Sequence, residues 1–180
     1  MGTDIGLMVS PDANVSLVQS ALDGDEEALA RIMATFHGDM SRVCMVITGD
    51  AHTARDAVQA AWPIAWRRLA SLRDATRLRP WLISIAANEA RQMVRSESRR
   101  RRREGRAEVP RTPEMDDPVE RLDLVAAVQR LDSDARRLIG LRYVADLTSD
   151  EIAREVGSTP SAVRGRLARI IAHLRKELNR

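Results

Sequence analysis

Apolar residues recur at intervals of three and four along most of the chain, the period of a helix with one buried face. Val15, Val18 and Leu22 set the first short stripe, and Asp23-Gly24-Asp25 ends it and offers a cap to the next. Leu29, Ile32, Met33, Phe36, Met40, Val43, Cys44 and Ile47 form the second stripe, closed by Thr48-Gly49-Asp50. A third helix is predicted from about Ala51 to Leu69, with Val58, Ala61, Trp62, Ala65, Trp66 and Leu69 inward. Pro63 lies inside it and lacks a backbone donor, so a kink or break is expected there. Ser71 to Arg79 is polar and irregular. A fourth helix is predicted from Pro80, a residue suited to a first helical position, with Trp81, Leu82, Ile85, Ala86, Met93 and Val94 on one side. Strand alternation is nearly absent. Four one-stripe helices predict a bundle over residues 13–98, preceded by a loose tail over 1–12.

The periodicity stops at Arg99. Residues 99–118 hold an unbroken Arg run and three prolines without an apolar repeat, the composition of an extended, flexible linker. Periodicity resumes at Val119. The predicted fold class is therefore all-α: two small helical domains, 13–98 and 119–180, joined by an Arg/Pro-rich linker over 99–118.

The second domain carries the sharpest local pattern. Thr148-Ser149-Asp150-Glu151 fits a capping box, in which the Thr148 hydroxyl accepts from the Glu151 amide and the Glu151 carboxylate reaches back. A short helix over about Ser149 to Val156 follows, with Ile152, Ala153 and Val156 inward. Gly157 suits a left-handed turn, and Thr159-Pro160 opens the next helix. There Val163, Leu167, Ile170, Ile171, Leu174 and Leu178 form the apolar stripe, and Ser161, Arg164, Arg166, Arg169 and Arg175 lie outside it. A short helix, a tight turn and a longer Arg-bearing helix make a helix-turn-helix, whose second helix enters the DNA major groove. Arg164 and Arg166 stand early in that helix, within reach of guanine edges or phosphates.

Composition sharpens this picture. Lys and Arg number 29 against 26 acids; all but Lys176 are Arg, whose planar fork bonds phosphates and base edges in two places. Codon bias accounts for Arg abundance but not for its clustering. Nine Arg against three acids lie between Arg91 and Arg111, a block typical of polyanion contact or of a solvated spacer. The single cysteine, Cys44, excludes an internal disulfide and sits in an apolar run, which reads as core. His37, His52 and His173 lack metal-ligand spacing. No phosphate-binding Gly loop, nucleophile elbow or zinc cluster is visible, so neither an enzyme nor a cofactor is expected. The start of the chain does not read as a signal peptide, and no apolar run spans a bilayer. A cytoplasmic protein without membrane insertion is expected.

Four stretches carry a family resemblance. They are Gly24-Asp25 with Ala28 and Val43; Gly49-Asp50 with Ala54-Arg55-Asp56-Ala57-Val58-Gln59, Trp62 and Ala65-Trp66; Arg79-Pro80-Trp81-Leu82-Ile83-Ser84-Ile85-Ala86-Ala87-Asn88 leading to Arg95; and Leu138-Ile139-Gly140-Leu141-Arg142-Tyr143 through Glu151-Ile152-Ala153 to Val163-Arg164-Gly165-Arg166-Leu167. In this order they resemble a bacterial RNA polymerase sigma factor of the extracytoplasmic-function group, sigma-70 family. The resemblance implies a first domain that docks on the clamp of the largest subunit of core RNA polymerase, through Arg55, Asp56, Gln59 and Trp62. It implies a −10 promoter surface at Ser71, Arg73, Asp74, Asn88 and Arg91, with Arg95 and Arg99 on phosphates. It implies a −35 reader at Ser161, Arg164, Arg166 and Arg169. An anti-sigma protein is a further partner the resemblance allows. Ala60 stands where the family usually has an acid, and Ala87 where it often has a polar residue. Trp62, Trp66 and Trp81 lie on apolar stripes, which favours core packing over base stacking.

The expected function is thus promoter-specific transcription initiation. Two rivals remain: a stand-alone helix-turn-helix regulator, which leaves the first domain unexplained, and a sigma mimic that binds a protein and needs no DNA contacts.

Overall fold

Capping residues set the helix boundaries, as local side-chain chemistry dictates. The computed structural model describes residues 11–104 and 119–179; residues 1–10 of the expected tail and 105–118 of the expected linker lie outside them. Helix α1 spans Pro11–Leu22 and α2 Glu26–Thr48. Asp25 caps α2, its carboxylate accepting from the Glu27 and Ala28 amides at 2.9 and 3.3 Å. Gly49, at φ 69°, ends it in the left-handed region that a glycine enters without strain. Asp50 then caps α3, Ala51–Arg68, accepting from the Thr53 amide at 2.8 Å. Two 3-10 turns, Leu69–Ser71 and Ala75–Arg77, lead into α4, Leu78–Arg103.

Four expectations change in this half. The buried face of α1 is Asn14, Val18 and Ala21, whereas Val15 and Leu22 are exposed; the most apolar residues are not those that face the bundle. Met33 is likewise exposed on α2, and Ala28 takes its place in the core. Helix α3 runs through Pro63 without a break, its wall of Ala54, Ala57, Ala61 and Ala65 lying buried on the bundle side. Helix α4 begins at Leu78, before Pro80, and continues through Arg103, past the expected boundary at 98. Glu97 explains the extension: it accepts from Nε of Arg100 at 3.1 Å and of Arg101 at 2.8 Å. These are three- and four-residue pairs that support a helix. The terminal arginines also complement the negative end of its dipole.

The second half begins with α5, Val119–Arg130, and α6, Ser133–Ile139, which continues into a π-helical turn, Gly140–Val144. Helices α7, Ser149–Val156, and α8, Pro160–Leu178, complete it. Its core is Leu138, Ile139, Leu141, Leu147, Ile152, Val163, Leu167 and Leu174. Leu178 is exposed and Ile170 and Ile171 are only half-buried.

The halves share one contiguous apolar core, in which α6 and the π turn pack on α2, and α7 packs on α4. At Gly140 the approach is close, a Cβ there lying 3.2 Å from Cγ1 of Val43. Polar contacts flank it. Gln129 donates through Nε2 to the Val46 carbonyl at 2.9 Å, bridging α5 to the end of α2, and Arg136 donates to Gln129 Oε1.

Candidate nucleic-acid and polymerase interfaces

The helix-turn-helix forms as its local sequence dictates. The Thr148 hydroxyl accepts from the Glu151 amide at 3.2 Å, and Glu151 Oε2 accepts from the Thr148 amide at 2.7 Å. Gly157, at φ 65°, makes the turn. The Thr159 hydroxyl caps α8, accepting from the Ala162 amide at 3.2 Å. Ser161, Arg164, Arg166 and Arg169 are all exposed on α8. Arg169 Nε donates to the Gly165 carbonyl at 3.3 Å. The side chains of Arg164 and Arg166 have no partner among the described residues. Arg164 and Arg166, solvated on a groove-sized helix, can meet phosphates without breaking an internal contact.

Helix α4 carries the second polar surface. Ser84, Asn88, Arg91 and Arg95 succeed one another at four, three and four residues, so they form one stripe. Arg91 Nη2 donates to Asn88 Oδ1 at 3.4 Å, and its Nη1 pairs with Asp134 at 2.7 Å. Arg95 and Arg99 are exposed. Ser71, Arg73 and Asp74 lie before this helix and are also exposed. The Ser71 hydroxyl donates to the Arg68 carbonyl at 2.6 Å. Asp74 caps the second 3-10 turn, and the hydrogen bond from the Thr76 hydroxyl holds its carboxyl below the usual carboxylate range, helped by Arg77.

Helix α3 offers the third surface. Arg55, Asp56 and Gln59 are exposed, and Asp56 faces His52 Nδ1 at 3.1 Å. Trp62 does not join them. It is buried, stacks on Trp66 with ring centroids 5.0 Å apart, and donates through Nε1 to His37 Nδ1 at 3.4 Å. Trp62 therefore braces the surface from beneath, as its place on the apolar stripe predicts.

Several contacting residues carry no local sequence signal. Glu155 of α7 accepts from Arg77 Nη2 at 3.0 Å and from the Ser84 hydroxyl at 2.7 Å. Arg79 donates to Asp39 at 2.6 Å and to the Ala145 carbonyl at 2.8 Å. Burial, with Arg91 nearby, lowers the Arg137 pKa. Hydrophobic exposure at Tyr143 marks one end of a shallow groove floored by Leu167, Ala168 and Ile171 and rimmed by Arg142, Arg164 and Arg175. Among the described residues no His, Cys, Asp or Glu cluster could hold a metal ion, and no helix is long and apolar enough to cross a membrane.

Two family models match the chain. Residues 32–100 match Sigma-70 region 2 and residues 121–174 match Sigma-70, region 4. RNA polymerase sigma factor CarQ of Myxococcus xanthus is 32% identical over 162 residues, covering 88% of this chain and 91% of its own. The ECF RNA polymerase sigma factor SigL of Mycobacterium tuberculosis is 30% identical over 161 residues, covering 85% of this chain and 90% of its own. The chain belongs to the extracytoplasmic-function group of the sigma-70 family. A probable sigma factor of Xanthomonas campestris, RfaY, is 30% identical over 171 residues; the match takes in 88% of this sigma factor but only 42% of RfaY. The fold is shared with RpoE of Bartonella quintana, solved with the anti-sigma factor NepR, at a TM-score of 0.65 and 22% identity over 87% of this chain and 97% of that one. In this sigma factor region 2 takes in α3 and most of α2 and α4, while region 4 takes in α7 and most of α8.

Proposed function

We propose that this sigma factor docks on the clamp of core RNA polymerase through the exposed face of α3, at Arg55, Asp56 and Gln59, and directs it to promoters read at two points. The first half, residues 13–103, meets the separated −10 strand along α4, through Asn88, Arg91, Arg95 and Arg99, with Ser71, Arg73 and Asp74 beside it. The second half, residues 119–180, reads the −35 element through Ser161, Arg164, Arg166 and Arg169. Extruding a base costs a few kcal/mol, offset by contacts to its edge. The observation that carries this reading is the pairing of region 2 and region 4, in order, with an α8 whose Arg164 and Arg166 are solvated and have no partner among the described residues.

Nucleotide addition belongs to the polymerase; the chain is not an enzyme and works in the cytoplasm, where its template is. Two weak DNA contacts become selective when the polymerase fixes their spacing, because the second then binds at a high effective concentration. An anti-sigma protein is a further partner in this reading, supported by the fold shared with the NepR-bound RpoE. The test is run-off transcription from genomic promoter fragments. Specific transcripts are expected only with core polymerase and this protein together; the same transcripts from core polymerase alone would overturn it. Tight, selective gel shifts by the protein alone would instead favour a stand-alone regulator.

A further inference from the structure

The polar stripe of α4 runs past the residues assigned to the −10 strand. Ser84, Asn88, Arg91, Arg95, Arg99 and Arg102 succeed one another at four, three, four, four and three residues. They therefore share one face of a single 26-residue helix, and Arg103 lies beside them. The match to Sigma-70 region 2 ends at residue 100, so Arg102 and Arg103 fall outside it. We propose that Arg102 and Arg103, with Arg99 at the junction, clamp phosphates of the promoter duplex that adjoins the −10 strand on its −35 side. This rests on the reading of α4 as the strand-binding helix.

Charge is sorted around this part of the helix. Glu97 and Glu104 lie on the far side from Arg95 and Arg102, and there Glu97 accepts from Arg100 and Arg101. Arg95, Arg99, Arg102 and Arg103 are exposed, and no carboxylate pairs with them among the described residues. Arg99 Nε donates to the Arg95 carbonyl at 3.3 Å and Arg103 Nε to the Arg99 carbonyl at 3.4 Å. Each bond aims the outer fork of its guanidinium away from the backbone. Together with Ser96 and Arg102, these two arginines line a shallow concavity. Its composition selects duplex over single strand. The Asn88 amide can read a base edge, but beyond Arg91 the stripe is guanidinium alone, and no aromatic side chain follows Trp81 in α4. Unpaired strands are held by stacking on aromatic rings as well as by charge. A purely cationic surface suits a duplex, whose phosphates are dense and whose bases are hidden. The −35 side is the paired side, since a helix-turn-helix reads an intact major groove. Arg102 stands about 21 Å beyond Asn88 along the helix, clear of the base-reading group.

The test is binding of the holoenzyme, core polymerase with the full-length protein, to two fluorescein-labelled templates of a promoter found by run-off transcription. Both carry the unpaired −10 strand. One continues toward −35 as about one helical turn of duplex; the other stops at the edge of the −10 strand. The clamp variant is Arg102→Gln, Arg103→Gln. The control, Arg100→Gln, Arg101→Gln, makes the same charge change on the far face, and Gln is a good helix former in both. On the duplex-bearing template the clamp variant should bind about tenfold more weakly at low salt, and its log–log salt slope should fall by about two. On the strand-only template its loss should stay under about twofold, as should the loss of the control on either. An equal loss on both templates would place these arginines on the single strand and overturn the proposal. So would an equal loss in the control, which would leave only net charge, or no loss on the duplex-bearing template. Weaker binding of the clamp variant to core polymerase, measured without DNA, would assign the surface to the polymerase and overturn it too. Unmodified holoenzyme that binds both templates no better than core polymerase alone would instead sink the sigma-factor reading.

Discussion

Arg164 and Arg166 do different work on α8. Two residues apart on a helix, they point about 200° away from each other. Val163, Leu167 and Leu174 define the buried side, so the two arginines flank the helix and Ser161, Gly165 and Arg169 lie between them on the outward face. A helix seated in a groove meets a phosphate backbone on either flank. Arg164→Ala and Arg166→Ala should therefore each weaken −35 promoter use about evenly across sequences and lower the salt dependence by about one unit of slope. Titration of open-complex formation against salt checks this; loss confined to one base pair would instead mark a base-reading arginine. Cys44 shows the opposite kind of residue. Its thiol is buried and donates to the Ala86 carbonyl at 3.5 Å, and burial pushes its pKa up to about 12 from 9.0. The folded thiol keeps its proton while the unfolded one loses it, so stability is full below about pH 9 and falls as pH rises toward about 12. Urea midpoints measured across that range should fall less steeply in Cys44→Ala.

At the scale of elements, the helix-turn-helix tests how much a local motif contributes. Thr148→Ala removes the capping box and should cost about 1 kcal/mol. Two glycine variants should shift stability in opposite directions. Neither Gly157 nor Gly165 has a neighbour within 4 Å of an added Cβ, so backbone conformation alone decides. Gly157→Ala, at φ 65°, should cost about 1–2 kcal/mol. Gly165→Ala, inside α8, should stabilise by about 1 kcal/mol. Urea unfolding of the three variants measures all of this. The motif was legible in the chain because caps and turns act over three or four residues. The face of α1 was not, because Val15 and Leu22 are more apolar than the Asn14 and Ala21 that face inward. Nor was the end of α4. An Arg run reads as a solvated spacer, yet arginine is a good helix former, and Glu97 staples two of the five arginines to the helix. The exposed arginines of α8 were legible and Trp62 was half so, its stripe pointing inward although the family resemblance implied a docking role. Glu155 and Asp134 were invisible, since their partners lie tens of positions away and no spacing announces them.

The whole molecule depends on how the halves meet, and Gly140 is the lever on that contact. It belongs to a segment anchored in the second half by Leu138, Ile139 and Leu141, and it rests on Val43 and Ile47 of α2. A Cβ there already sits at 3.2 Å from Val43, tighter than ordinary packing, so Gly140→Leu cannot be absorbed by a small shift. The larger side chain should separate the halves rather than unfold either, because each keeps its own buried stripes. Calorimetry should then show two transitions where the unmodified protein shows one, with a larger radius of gyration by small-angle scattering and unchanged helical circular dichroism. A single transition at lower temperature would show that neither half folds without the other.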